Sequence, residues 1–187
     1  MDTSNLCESR FLLRSCFRVS CSLIVVLSVL TAPPVFGFQL QTSFDKVAVD
    51  NVTVMKSDII VRTNSVREKS ALIALNADKA LAVIAQRKSD LMAERGEFAH
   101  ILTDGSTAWS LMKSYNYNFL HAGENLAVHF TTSREVVVAW IASPSHKTNL
   151  LNANFTSVGV GVSQGVYKGS TGYFVVQLFA TPFPSIN

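Results

Sequence analysis

Cysteine is scarce and confined to one end. The 187-residue chain has 3, at Cys7, Cys16 and Cys21, and none follows. A domain built from the rest contains no internal disulfide and must be held by its core. Charge is sparse too: Asp, Glu, Lys and Arg supply 16% of residues, 16 basic against 13 acidic, for a formal net charge of +3. No basic cluster accompanies this mild excess, which excludes a dedicated nucleic-acid binder. A 48% apolar fraction excludes a disordered chain. There is no internal repeat and no sign of a second domain. No serine is read as the nucleophile of a strand-to-helix elbow. Ser145 and His146 are adjacent on a helix and do not face each other.

What is present begins with an export signal over residues 1–37. Arg10, Arg14 and Arg18 form its positive region, the residues around Ser22 to Leu30 its apolar stretch, and Pro33-Pro34 breaks it ahead of Val35-Phe36-Gly37. Cleavage after Gly37 leaves about 150 residues, enough for one core, and lowers the net charge from +3 to +2 because three arginines and two acids leave. The competing reading is an uncleaved anchor, since residues 19–36 approach the ~18 apolar residues that can span a bilayer. Contact with a membrane is expected only through that uncleaved segment. An exported chain without disulfides suggests a bacterial envelope or medium, secreted or periplasmic.

Residues 38–55 read as an extended lead-in, 56–182 as the domain and 183–187 as a tail. Ser57-Asp58 is expected to cap a first helix running to about Arg67. The clearest helix follows Asn76, taken as its N-cap, over residues 77–95, with apolar Leu81, Ile84, Ala85, Leu91 and Met92 at helical spacing and Gly96 at the C-cap. Lys88 interrupts that stripe. Either its stem lies along the core with the ammonium at an edge, or the ammonium meets a carboxylate in a cavity. Asp104-Gly105-Ser106 turns into a short helix carrying Trp109 and Met112. Trp109 and Trp140 are read as packing residues, and Tyr115 and Tyr117 as loop aromatics at the rim of a groove. Gly123-Glu124-Asn125 reads as a turn before a short strand through Leu126, Val128 and Phe130. His121 and His129 are expected on loop or strand surface. Thr132 and Glu135 have capping-box spacing, and Ser143-Pro144 opens the last helix. Val158, Val160 and Val162 alternate with Gly159 and Gly161, and residues 173–179 form a second strand joined to the first through 164–172. Those glycines leave a bare face that something can approach closely. Helices first and a hairpin last imply an α+β fold with helices packed on an antiparallel sheet.

Gly123-Glu124-Asn125-Leu126-Ala127, Val137-Val138-Ala139-Trp140 and Ser143-Pro144-Ser145-His146-Lys147-Thr148-Asn149-Leu150-Leu151 resemble the bacterial branch of the CAP superfamily (cysteine-rich secretory proteins, antigen 5 and pathogenesis-related 1 proteins; SCP-like domains). Thr63-Asn64-Ser65-Val66-Arg67, Phe98-Ala99-His100, Asp104-Gly105-Ser106-Thr107, Val158-Gly159-Val160-Gly161-Val162 and Val175-Val176-Gln177-Leu178-Phe179 extend the likeness over residues 56–182 in family order. The resemblance implies a three-layer α-β-α sandwich and a cavity lined by His100, Glu124 and His146, with Lys88 beside it. Two imidazoles and a carboxylate can hold zinc, with His100 and His146 as its ligands, or exchange protons near neutrality. The pattern departs from the family's at Ser145 and Lys147, where glycine and arginine are usual. It departs again at Ile141-Ala142-Ser143, where many relatives carry a second glutamate, and at Lys88, where many have histidine.

Three functions follow as expectations. The first is an exported binding module for a small molecule, lipid or cell-wall peptide, with no enzymatic activity required. The second is a zinc-assisted hydrolase or peptidase, and the third a structural or adhesive surface protein.

Overall fold

The computed structural model describes residues 7–8 and 54–184. The expected export segment, lead-in and extreme C-terminal tail lie outside those residues, except for 7–8, 54–55 and 183–184. The elements are β1 (Cys7–Glu8), α1 (Lys56–Lys69), β2 (Asn76–Ala77), α2 (Lys79–Arg95), α3 (Ala108–Ser114), β3 (Phe119–Phe130), α4 (Ser133–Ala142), α5 (Pro144–Leu150), β4 (Ser157–Tyr167) and β5 (Ser170–Pro182). They build one sheet in the order β1-β3-β5-β4-β2. Its three long strands are antiparallel, as expected, but the two-residue strands at the edges join in parallel, so the sheet is mixed.

Alternation along the strands divides the core in two. On one face Leu126, Val128, Phe174, Val176, Leu178 and Ala180 pack with Leu81, Ile84, Ala85 and Met92 of α2 and Met112 of α3. On the other, Ala127, Val158, Val160, Val175 and Phe179 pack with Ile59 of α1, Val136, Val137 and Trp140 of α4 and Leu150 of α5. Helices on both faces of a sheet make the three-layer α-β-α sandwich.

The close approach to the glycine face comes from α2. A Cβ on Gly159 would lie 2.3 Å from the Leu81 carbonyl carbon, and one on Gly161 2.2 Å from the Ala85 carbonyl oxygen. Glycine alternation in β4 thus registers with the four-residue repeat of α2, and helix and strand meet backbone to backbone.

Local signals place several boundaries well. Gly96 ends α2 at φ 65° in the left-handed region, and Thr132 and Glu135 form the capping box of α4. Other boundaries differ. α2 is capped by Asp78, whose Oδ1 accepts from the Leu81 amide at 3.0 Å, while Asn76 belongs to β2. α1 starts at Lys56 with no side-chain cap. The end of the lead-in is instead pinned by Ser133, whose hydroxyl accepts from the Met55 amide and donates to its carbonyl. The strands β4 and β5 continue through the expected 164–172 loop to a two-residue turn, where Lys168 (φ 49°) and Gly169 (φ 80°) are both left-handed.

β3 is the largest difference. It begins at Phe119, so Gly123-Glu124-Asn125 lies within a strand and not in a turn. Gly123 is required there by proximity: a Cβ would sit 2.8 Å from the Phe155 ring and 3.0 Å from Asn149 Oδ1. Trp140 is fully buried, but Trp109 is 43% exposed with its ring against Phe119, so only one of the two tryptophans is a core residue. Tyr115 is exposed and half-buried Tyr117 donates its hydroxyl to Asp78 at 2.7 Å. Burial and the Asp78 carboxylate raise the pKa of that phenol well above its usual range. His121 and His129 both lie in β3, His121 exposed and His129 half-buried.

Candidate functional site

Both edges of the sheet are closed by side chains. On β4, beyond β2, the Gln86 amide imitates a strand: Oε1 accepts from the Val162 amide and Nε2 donates to its carbonyl, each at 3.1 Å. On β3, Trp140 Nε1 donates to the Leu126 carbonyl at 2.9 Å and Asn149 Nδ2 to that of Glu124 at 3.0 Å. β1 pairs with the same strand at Ala127 and Val128.

A buried polar lattice backs the β3 edge. Gln177 Nε2 donates to Thr63 at 2.8 Å, and its register partner Asn125 donates to the His146 carbonyl at 3.3 Å. Asn149 Nδ2 also reaches Asn125 Oδ1 at 2.9 Å. Arg67, fully buried, donates to the carbonyls of Ile73, Leu150, Asn152 and Phe155. This explains why the inward positions of α1 run Ile59, Thr63, Arg67: the helix faces carbonyl and amide groups as well as apolar ones. Apolar periodicity gives no signal for such residues.

The lattice fixes β3 and α5, and these elements present the site. His100, in the loop between α2 and α3, places Nδ1 2.5 Å from Glu124 Oε2. The carboxylate is buried, at 4% side-chain exposure, while the imidazole is 45% exposed. His146 sits in the first turn of α5, buried, with Nδ1 2.8 Å from the Ser143 hydroxyl. Ser143 therefore serves the ring and does not cap the helix, a role its N-cap position does not reveal. Burial, with the His100 charge adding, pushes His146 down to about 4, so the ring is neutral at ordinary pH. Among the described residues, two buried side-chain atoms have no hydrogen-bond partner: Glu124 Oε1 and His146 Nε2. A buried polar atom left unpaired costs roughly 1–3 kcal/mol, and these two atoms carry that cost while the neighbouring Asn125, Asn149 and Ser143 side chains are paired.

Lys88 is fully buried, and the ammonium neither reaches an edge nor pairs with a carboxylate. Nζ donates to the His100 carbonyl at 3.0 Å and the Ser106 carbonyl at 3.4 Å. Burial lowers its basicity; Glu124, Asp104 and Glu97 oppose that effect electrostatically.

Among the described residues no three His, Cys, Asp or Glu side chains converge as metal ligands. His100 Nδ1 is committed to Glu124, which leaves that ring's Nε2 as its ligand atom, the arrangement in which a carboxylate orients a metal-binding histidine. Gly161-Val162-Ser163-Gln164-Gly165 has the spacing of a nucleophile elbow, but Ser163 lies inside β4, bonded to Asp90 at 2.5 Å and Gln86 at 2.8 Å. Two surface hollows lie elsewhere. One of about 490 Å³ runs along α5 beside Lys147, and one of about 210 Å³ lies between α1 and α4.

The pattern of the cysteine-rich secretory protein family matches residues 61–179. Two proteins of Bacillus subtilis are similar in sequence. The uncharacterized protein YkwD is 36% identical over 114 residues, 61% of this chain and 44% of its own. The uncharacterized membrane protein YlbC is 30% identical over 115 residues, 62% of this chain and 33% of its own. The chain thus spans less than half the length of these relatives. Among solved structures, an extracellular protein containing an SCP domain from Bacillus anthracis is 29% identical with a TM-score of 0.59, covering 67% of this chain and 40% of that one. An outer surface protein from Borrelia burgdorferi is 27% identical with a TM-score of 0.58, covering 68% and 92%.

Proposed function

The chain belongs to the cysteine-rich secretory protein family, and on that premise we propose that it is a ligand-binding domain of the cell envelope or medium. The bound group occupies the site of His100, Glu124 and His146. The observation that carries this reading is the pair of buried, unpartnered atoms, Glu124 Oε1 and His146 Nε2, in a region where the neighbouring polar side chains are paired. Extracellular placement rests on the family and on neighbours that are an extracellular and an outer surface protein. No described helix is long and apolar enough to cross a membrane.

The electrostatics choose among ligand classes. Glu124 is a buried acceptor, and the nearby cation, Lys88, spends its donors on backbone carbonyls. A ligand carboxylate at this point would set acceptor against acceptor, since His100 is already engaged with Glu124. A hydroxyl, amide N–H or ammonium would supply the missing donor. A cell-wall peptide or amino-sugar fragment fits that requirement better than the head of a free fatty acid. Titrating isotope-labelled protein with a soluble muropeptide should shift the resonances of His100, Glu124 and His146. The double variant His100→Ala/His146→Ala should abolish the response. An unchanged response in the double variant would place the ligand elsewhere and end this assignment.

A zinc-assisted hydrolase is the second reading, favoured by the same two free atoms, which are chemically competent metal donors. Bound zinc would supply Lewis acidity; the residues themselves provide a neutral imidazole and a carboxylate already tied to His100. Metal analysis of protein purified without chelator, followed by muropeptide cleavage with and without zinc, separates the two. Substoichiometric metal with no metal-dependent turnover removes the hydrolase. No response to muropeptide, lipid or zinc would instead favour a structural or adhesive surface role.

A further inference from the structure

Residues 97–107, which carry His100, contain little regular structure beyond one isolated bridge, Ile101 to Thr107. Such a loop holds its shape through side chains. Thr103 donates to both oxygens of Glu97, Arg95 pairs with Asp104 at 2.7 Å, and Asp104 accepts from the amide and hydroxyl of Ser106. These contacts are exposed, so solvent and salt weaken them. Two side chains, Phe98 and Leu102, anchor the loop in the core, Leu102 N–H donates to the Ser106 carbonyl at 3.0 Å, and a buried polar contact comes from below. Lys88 occupies an inward position of α2 among Leu81, Ile84, Ala85, Leu91 and Met92, all buried. From there its ammonium reaches the carbonyls of His100 and Ser106, at two points of the loop.

We propose that Lys88 is a positioning residue, an internal tether that fixes the His100 loop and so holds Nδ1 of His100 on the Glu124 carboxylate. Charge-assisted hydrogen bonds to neutral carbonyls are strong where water is excluded, and this one joins a helix packed backbone to backbone on the sheet to a loop with few internal bonds. An apolar residue at position 88 would continue the α2 stripe and pack equally well. It would leave the His100 carbonyl without this donor, and the stretch between the buried Phe98 and Leu102 anchors without a polar contact from the core. That accounts for a cation where apolar periodicity calls for a leucine or methionine. The groups facing the ammonium are Glu124 on β3, Glu97 and Asp104 on the loop, and Arg95 on α2. The three acids oppose the lowering that burial causes, and Arg95 adds to it.

The consequence for binding rests on the functional reading above, but the tether does not. Its test therefore needs no ligand. In the unaltered protein, Lys88 ammonium protons should exchange slowly and show hydrogen-bond couplings to the carbonyl carbons of His100 and Ser106. In Lys88→Met, which conserves length, amide exchange across residues 98–107 should accelerate by about tenfold to a hundredfold. Exchange in β3, β4 and β5 should stay put, and the downfield proton signal of the short His100–Glu124 hydrogen bond should be lost. A folded Lys88→Met protein with an unchanged loop and an unchanged ring proton would overturn the proposal. If that variant does not fold, the unaltered protein still decides: freely exchanging ammonium protons with no carbonyl coupling refute the tether. A loosened loop in Lys88→Met alongside a failed muropeptide titration would refute the binding reading alone.

Discussion

The two edges of the sheet use the same chemistry to different ends. At β4, Gln86 satisfies both backbone groups of Val162, and Asp90 accepts from Gln86 and Ser163. At β3, Trp140 and Asn149 cover two carbonyls in the same manner, yet the neighbouring carboxylate and imidazole each keep a buried atom unpaired. Polar residue types are alike at both edges, so type does not identify the functional one. Incomplete pairing is what sets the β3 side apart among the described residues, and the proposed ligand site rests on it.

The comparison breaks most visibly at the β4 side. Gly161→Ala drives a methyl into the Ala85 carbonyl, and neither strand nor helix can yield easily. A loss of about 3 kcal/mol or more is expected in chemical denaturation, with no selective effect on His146. An equally stable Gly161→Ala protein would mean that α2 does not lie on bare strand.

The β3 side should show itself through pH. His146 has a folded value near 4 against an ordinary 6.5. The unfolded chain therefore binds a proton that the native chain refuses. Stability from the neutral ring is fully present above about 6.5 and falls as pH drops toward 4, a loss of order 2–3 kcal/mol. His146→Gln should flatten that part of the stability curve. A slope unchanged by the substitution would contradict the buried neutral ring.

Gln86→Leu sharpens the contrast at smaller cost. It strips Val162 of both partners at a half-buried edge, for which about 1–2 kcal/mol is expected, and should leave muropeptide titration untouched. Altered binding would show that the two edges are coupled. The smallest effect belongs to Glu124→Gln. The exposed His100 keeps a hydrogen-bonding partner in the amide, while the unpaired acceptor oxygen becomes less costly to bury, so stability should move by less than about 1 kcal/mol. Ligand response should nevertheless disappear. A large destabilisation would recast Glu124 as a structural residue.

Much of the fold is legible locally. The α2 stripe, the Gly96 cap, the Thr132–Glu135 capping box and the hairpin all depend on neighbouring residues, and all are present. β3 is harder because Gly123 resembles a turn residue, when its reason is the packing of Phe155 and Asn149 from distant segments. Trp109 has the spacing of a core residue, but α3 is too short to bury it. The site is legible only through family resemblance: His100, Glu124 and His146 are separated by 24 and 22 residues and share no local signature. Asn125, Gln177 and Arg67 act through partners in other elements, mostly backbone carbonyls, which leave no trace in a sequence. Lys88 is the intermediate case. Its break in an apolar stripe is visible in the sequence, whereas its acceptors are not.

The account depends above all on a neutral, enclosed imidazole at His146. Following the ring nitrogens of His146 by NMR from about pH 7 downward tests this directly. Protonation delayed to near pH 4, with His146→Gln removing the transition, is the predicted result. Protonation at the ordinary value near 6.5 would mean that water reaches the ring freely, and the site described here would not exist.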